Sequence, residues 1–234
     1  MTAGSDDAAL ERECKRVYRR YAVELVEALG MCPYAERCRS EGRTREVVVL
    51  ERELDLSRAL DVVDAIAADE IVEVALLIFP RVEVPRLGLA RFVERLRAAH
   101  QASTGGLVMA MEGFHPEAEP DQRAPERLVP FVRRTPDPTI QLVRHAVLDR
   151  VRRATPSGTA FFDPSRTSLE ALLREPTPTP LHERIAHANA ETIEREGVER
   201  VRAILDDILR DRDASYAALG ERPRAIDGRG SAAP

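Results

Sequence analysis

The sequence predicts an α/β (or α+β) fold: a small, mainly parallel β-α-β-α-β sheet flanked by helices, with a helical C-terminal extension. Three observations carry this. Val72 to Pro80 contains an unbroken apolar run, Val74-Ala75-Leu76-Leu77-Ile78-Phe79, as expected of a strand buried on both faces. Two further strand-like runs flank it, around Val47-Val48-Val49-Leu50 and Leu107-Val108-Met109-Ala110-Met111. The segments between these runs have helical periodicity, and helical crossovers of this length join parallel neighbours in one sheet.

In chain order, residues 1–8 are small and acidic and are expected as a disordered start. From Ala8 to Leu29, Leu10, Cys14, Val17, Tyr21, Leu25 and Ala28 recur at spacings of three and four, which predicts an amphipathic helix with Cys14 on its buried stripe; Gly30 ends it. Pro33 then opens a short helix with Cys32 at its cap. The first strand runs from Arg45 to Glu53. Ser57 is the expected cap of a helix through Ala68, and a second crossover helix spans Leu89 to Ala99. Residues 115–136 form a long connection, which inside a compact domain points to function or disorder. From Pro138 the apolar positions Ile140, Val143, Val147 and Val151 predict a helix to Ala154, with Asp137 as its N-cap.

Further on, Thr159 to Asp163 suits an added edge strand and Leu169 to Arg174 a short helix. Glu175 to Pro180 is a stiff Pro-rich spacer. A charged helical region from Leu181 to Leu219, breaking near Gly197, completes the chain before a tail of disordered composition. The expected organisation is one domain over residues 9–197, a helical extension over 198–219 and a disordered tail over 220–234.

A formal charge of −5 with interspersed acids and arginines leaves no basic face for nucleic acid. Among 35 basic residues Lys15 is the only lysine, and it sits in a helix pattern, which argues against Schiff-base chemistry and a phosphate-loop lysine. No apolar run approaches the roughly 20 residues that span a bilayer. Three cysteines, Cys14, Cys32 and Cys38, fit a reducing cytoplasm better than a disulfide scaffold. No zinc-type spacing, dinucleotide fingerprint or nucleophile elbow is present.

Chemistry-bearing residues without apolar periodicity gather in two places. One is Glu112-Gly113-Phe114-His115-Pro116 with Arg133-Arg134-Thr135-Pro136-Asp137-Pro138; the other is Cys32-Pro33. His115 follows the third strand, where ligands gather in such sheets, and can act as acid/base or ligand; equally, it can brace a turn before Pro116. Glu112 either pairs with Arg133 or Arg134, or leaves those arginines to clamp a substrate carboxylate or phosphate. Cys32 at a helix start would have a lowered pKa and nucleophilic character, or else be a structural thiol. His145 and His100 read as structural, and His182 with His187 as a poor metal pair.

The ordered motifs Cys32-Pro33-Tyr34-Ala35, Phe114-His115-Pro116 and Arg134-Thr135-Pro136-x-Pro138 resemble the bacterial domain-of-unknown-function family 1415 over roughly residues 9–197. The resemblance also implies an Asn shortly after an Ile near the C-terminus, which Asn189 after Ile185 matches. Arg133 stands where the family has Asn, and Asp137 where it often has an aromatic residue. No established activity comes with the resemblance.

Three functions compete. The first is an enzyme acting on a small anionic metabolite, with His115 as acid/base, Cys32 and Glu112 as further catalytic groups, and Arg134, Arg133 and Asn189 binding substrate. The second is a haem- or metal-binding protein using Cys32 and His115 as ligands. The third is a binding or regulatory module, with the C-terminal helix docking a partner or a second copy of the chain.

Overall fold

The computed structural model describes residues 3–32, 34–106, 108–117, 128, 131–153 and 181–221. Helix α1 (Ala3–Arg20) runs into a π-helical segment (Tyr21–Glu27), and α2 (Ala35–Ser40) follows. Then come β1 (Thr44–Val48), α3 (Leu56–Ala68), β2 (Val74–Ile78), α4 (Arg86–Thr104), β3 (Met109–Phe114) and β4 (Thr139–Arg144). Helices α5 (His145–Arg153), α6 (Leu181–Glu196) and α7 (Val198–Ala218) complete the described order.

The four strands form one sheet in the order β1-β2-β4-β3. β1 and β2 are parallel neighbours, as the α3 crossover requires, whereas β4 lies antiparallel to both β2 and β3. β1, β2 and β3 therefore point the same way, but β4 separates the last two. This corrects the expected helix from Pro138. The segment Thr139-Ile140-Gln141-Leu142-Val143-Arg144 is a strand, and helix begins only at His145. Its apolar residues satisfied a helical stripe and a two-sided strand equally. The β-branched Thr139, Ile140 and Val143 and the demand for a partner along both β2 and β3 favour the strand.

Each face of the sheet has its own core. Ala75, Leu77, Phe79, Met109, Met111, Ile140 and Leu142 meet Val63 and Ile66 of α3 and Leu89, Phe92 and Leu96 of α4. A side chain at Gly113 would touch Val93 at 3.4 Å and Leu89 at 3.5 Å, so glycine there lets α4 close onto β3. On the other face Leu76 and Ile78 meet α1, the π segment and α7 through Leu10, Cys14, Val17, Leu25, Val201, Leu205 and Ile208. Cys14 is thus a core residue, and the apolar stripe of α7 packs inside the molecule.

Local signals account for the boundaries. Asp55, not Ser57, caps α3, its carboxylate accepting the Arg58 N–H at 3.0 Å. Gly197, at φ 84°, breaks the last helical region where expected. The N-terminal helix changes hydrogen-bond pattern at Tyr21: Ala28 N–H reaches Val23 C=O at 3.1 Å, and Met31 N–H reaches Val26 C=O at 2.8 Å, both five residues back. Such π segments recur at functional sites. The strand expected at 159–163, the helix at 169–174 and the spacer at 175–180 lie outside the described residues, as does the tail from 222 onward. No helix among the described residues is long and apolar enough to cross a membrane.

Candidate functional site

Alternation along the strands sends Thr44 and Glu46 of β1, Val74 and Leu76 of β2, Gln141 of β4, and Glu112 and Phe114 of β3 to the α1 face. The register aligns Glu46 with Leu76, Leu76 with Gln141, and Gln141 with Glu112, so three polar side chains occupy a single row across the sheet. Above this row α1, the π segment and α2 stand off the sheet, leaving a cavity of about 150 Å³. Its roof is Tyr18, Tyr21, Val26 and Met31, and its floor Thr44, Glu46, Leu76 and Gln141. Cys32, Phe114, Val132, Arg133 and Asn189 close the remaining walls.

Three residues chosen from sequence motifs therefore line one cavity: Cys32, Arg133 and Asn189. They come from the turn before α2, the loop before β4, and α6. Arg133 lies over the Phe114 ring, 5.1 Å from its centroid, and its Nη1 reaches Glu112 Oε1 at 3.2 Å. Glu112 is itself more than half exposed, its side chain at 55%. Glu112 thus holds the rim arginine and does not line the cavity.

Cys32 differs from expectation. Helix α2 begins at Ala35, with Tyr34 at its cap, so Cys32 precedes the helix proper. Burial is the largest influence on its thiol and raises the pKa above 9.0, although the Tyr34 and Ala35 N–H groups and Arg133 pull the other way. The helix-start effect is present and burial outweighs it, so Cys32 is a thiol at neutral pH.

His115 turns to the opposite face of the sheet. Its Nε2 lies 2.8 Å from Val84 C=O, and its Nδ1 accepts the Glu117 N–H at 3.2 Å, which fixes the tautomer with Nε2 protonated. Val84 belongs to the α3–α4 core, whereas Cys32 packs near Tyr34, Cys38 and Val74 on the other side. No nucleophile–base dyad and no shared axial ligation forms from Cys32 and His115 in this arrangement.

Arg134 is tied into the fold as well: Nε donates to Pro116 C=O at 2.9 Å, and Nη2 pairs with Asp206 at 3.5 Å.

Asp137 is not the helix cap expected. It is 1% exposed, and its Oδ1 meets Arg212 Nε at 3.1 Å and Nη2 at 2.9 Å. Oδ2 accepts the Tyr216 hydroxyl at 2.8 Å. Arg212 also donates to Pro80 C=O at 3.2 Å and lies over the Tyr216 ring at 4.2 Å. Burial and the Asp137 charge push the Tyr216 hydroxyl far above its ordinary range. The arrangement locks the loop before β4 to α7. Of the other described histidines, His100 is fully buried with Nδ1 2.7 Å from Asp64, and His187 is exposed.

Sequence reasoning missed Glu46, Gln141 and the tyrosines. Among the described residues, nothing hydrogen-bonds to the Glu46 carboxylate, the Tyr18 hydroxyl, or the side-chain amides of Gln141 and Asn189. All four side chains line the cavity. Burial, foremost, raises the pKa of Glu46 above 4.5, while Arg19 and Lys15 lower it in part. The available signal was polar residues at period two within strands, Thr44 with Glu46 and Thr139 with Gln141. Tyr34, raised to about 12 by burial, lines the same space, whereas Tyr21 donates to Val132 C=O at 2.9 Å. Among the described residues no group of three or more His, Cys, Asp and Glu side chains is arranged to hold a metal ion.

A family model described as a protein of unknown function (DUF1415) matches residues 13–177, a stretch that ends before Asn189. No curated protein and no solved structure matches the chain.

Proposed function

The chain belongs to the domain-of-unknown-function family 1415, and from that premise we propose an enzyme that acts on a small organic acid in the cavity beneath α1 and α2. The observation that carries this reading is the convergence of Cys32, Arg133 and Asn189, three separate stretches of chain, on a cavity whose floor holds Glu46 and Gln141.

Arg133 serves as the carboxylate-recognising cation. Stacking on Phe114 orients its planar fork, and its single contact to the exposed Glu112 is of the kind that contributes about 0–1 kcal/mol, so an incoming carboxylate can displace it. Arg39, also on the wall, is committed to Glu27 through two contacts of 2.7 and 2.8 Å. Glu46 takes the acid/base role first expected of His115. Its burial raises its pKa above the ordinary carboxyl value, the direction that suits an acid/base carboxyl, and no described side chain hydrogen-bonds to it. Gln141 and Asn189 orient the substrate through their amides, and Cys32 contributes a neutral thiol wall. Three free thiols support a reducing compartment as the place of work.

The test is a panel of small organic acids, read by thermal shift and by product formation on the wild type and on Arg133→Met. Stabilisation by at least one acid that disappears in Arg133→Met is the expected result. A wild type indifferent to the whole panel, or a response unchanged in Arg133→Met, overturns the reading.

A further inference from the structure

We infer that the ligand of this cavity is a zwitterion, an amino acid whose ammonium group is held by Glu46 and whose carboxylate is held by Arg133. The inference deepens the function proposed above and rests on it.

The cavity carries opposite charges on opposite walls. Glu46 belongs to β1, at one edge of the sheet, and Arg133 is anchored to Glu112 and Phe114 of β3, at the other edge. Three strand spacings separate those edges, about 14 Å at 4.7–4.9 Å each. The two side chains approach the cavity from its two ends. Between them lie the apolar walls Leu76, Val132 and the Tyr18 ring.

A simple carboxylic acid would satisfy Arg133 and leave the Glu46 carboxylate without a counter-charge. A simple amine would satisfy Glu46 and leave Arg133 to Glu112. Only a molecule with both groups answers both walls. The two cations that act on Glu46 at longer range, Lys15 and Arg19, lie on α1; Lys15 is paired with Glu11 at 2.6 Å, and Arg19 is exposed. Neither forms an ion pair with Glu46.

A volume of about 150 Å³ matches that of an engineered cavity known to take benzene, so the body between the charges is that of a single ring or a short branched chain. Tyr18 and Gln141, without hydrogen bonds to described residues, stand beside Glu46 as further acceptors for an ammonium.

Two matched sets of probes test this by calorimetry. One is 4-(aminomethyl)benzoate, 4-methylbenzoate and benzylamine; the other is 6-aminohexanoate, hexanoate and pentylamine. In at least one set the amino acid should bind tenfold or more tightly than both relatives, and Glu46→Gln should narrow that gap tenfold or more. Acids binding as tightly as amino acids would overturn the zwitterion and leave the organic-acid reading standing. Amines binding most tightly, or no binding by any member, would overturn both. Preference for the amino acid that Glu46→Gln leaves intact would overturn the assignment of Glu46.

Discussion

Asp137 and Arg212 meet at 2.9 Å with side chains 1% and 3% exposed, joining the loop that enters β4 to the last described helix. The pair is closed by the Tyr216 hydroxyl on one side and Pro80 C=O on the other, so both charges are hydrogen-bonded within the protein. Removing one member strands the other. Asp137→Asn and Arg212→Met should each cost about 3–5 kcal/mol in urea unfolding, and the double variant should cost much less than their sum. Additive losses would show that the residues act independently.

Glu46 has the opposite signature. A carboxyl whose folded pKa is raised above its unfolded value penalises folding once the unfolded form ionises, and the penalty is absent below that point. Glu46→Gln should therefore raise Tm at pH 7, with the gain fading as pH falls below about 4.5, the ordinary value. A variant less stable than wild type at pH 7 would mean that Glu46 has a stabilising partner.

Asp211 supplies a contrasting pH response. Arg16 and Arg20 hold its carboxylate down to about 2, from an ordinary 3.8. The folded pKa is depressed, so the contribution is present above pH 3.8 and is lost as pH falls toward 2. Asp211→Asn should lower Tm at pH 6 and converge with wild type near pH 2. A constant difference across that window would remove Arg16 and Arg20 as the cause.

His115 and Arg134 brace the loop after β3 from its two ends. His115→Ala removes the side-chain partner of Val84 C=O and of Glu117 N–H, two half-buried hydrogen bonds, and should cost about 0.5–1.5 kcal/mol. Ligand affinity at the cavity should be retained in the folded fraction. Loss of affinity without loss of stability would return His115 to the site. Arg134→Met should behave in the same way, in contrast to Arg133→Met.

The fold was legible wherever one periodicity excluded the other. Val74 to Phe79 is too short and too uniformly apolar for anything but an interior strand, and the α3 and α4 patterns are helical without ambiguity. Thr139 to Arg144 reads as helix because its apolar residues fit both periods and the deciding fact is non-local: β2 keeps an open edge, and β3 has no partner, until this segment lies between them. The candidate site was partly legible. Cys32, Arg133 and Asn189 stood out as motif residues, and all three line the cavity. His115 and Arg134 stood out equally, yet they bond within the protein itself, to backbone groups and, for Arg134, to Asp206 as well. Composition cannot distinguish a side chain that braces a loop from one that meets a ligand. Glu46 and Gln141 drew no notice because each is an ordinary polar residue in a strand until the register aligns them.

The strand order also has a consequence for the sequence of events in folding. β1 and β2 can associate as soon as α3 has formed, but β3 borders only β4, which follows it by 24 residues. Until that later segment docks, the growing sheet keeps an open apolar edge along β2, and β3 has no ladder at all. Closure of this gap is a long-range event of the kind that slows folding and exposes unpaired edges to other chains. The chain is therefore most vulnerable to misassociation during the interval between completing β3 and inserting β4. Substitutions in β4 should be felt in refolding yield as strongly as in final stability.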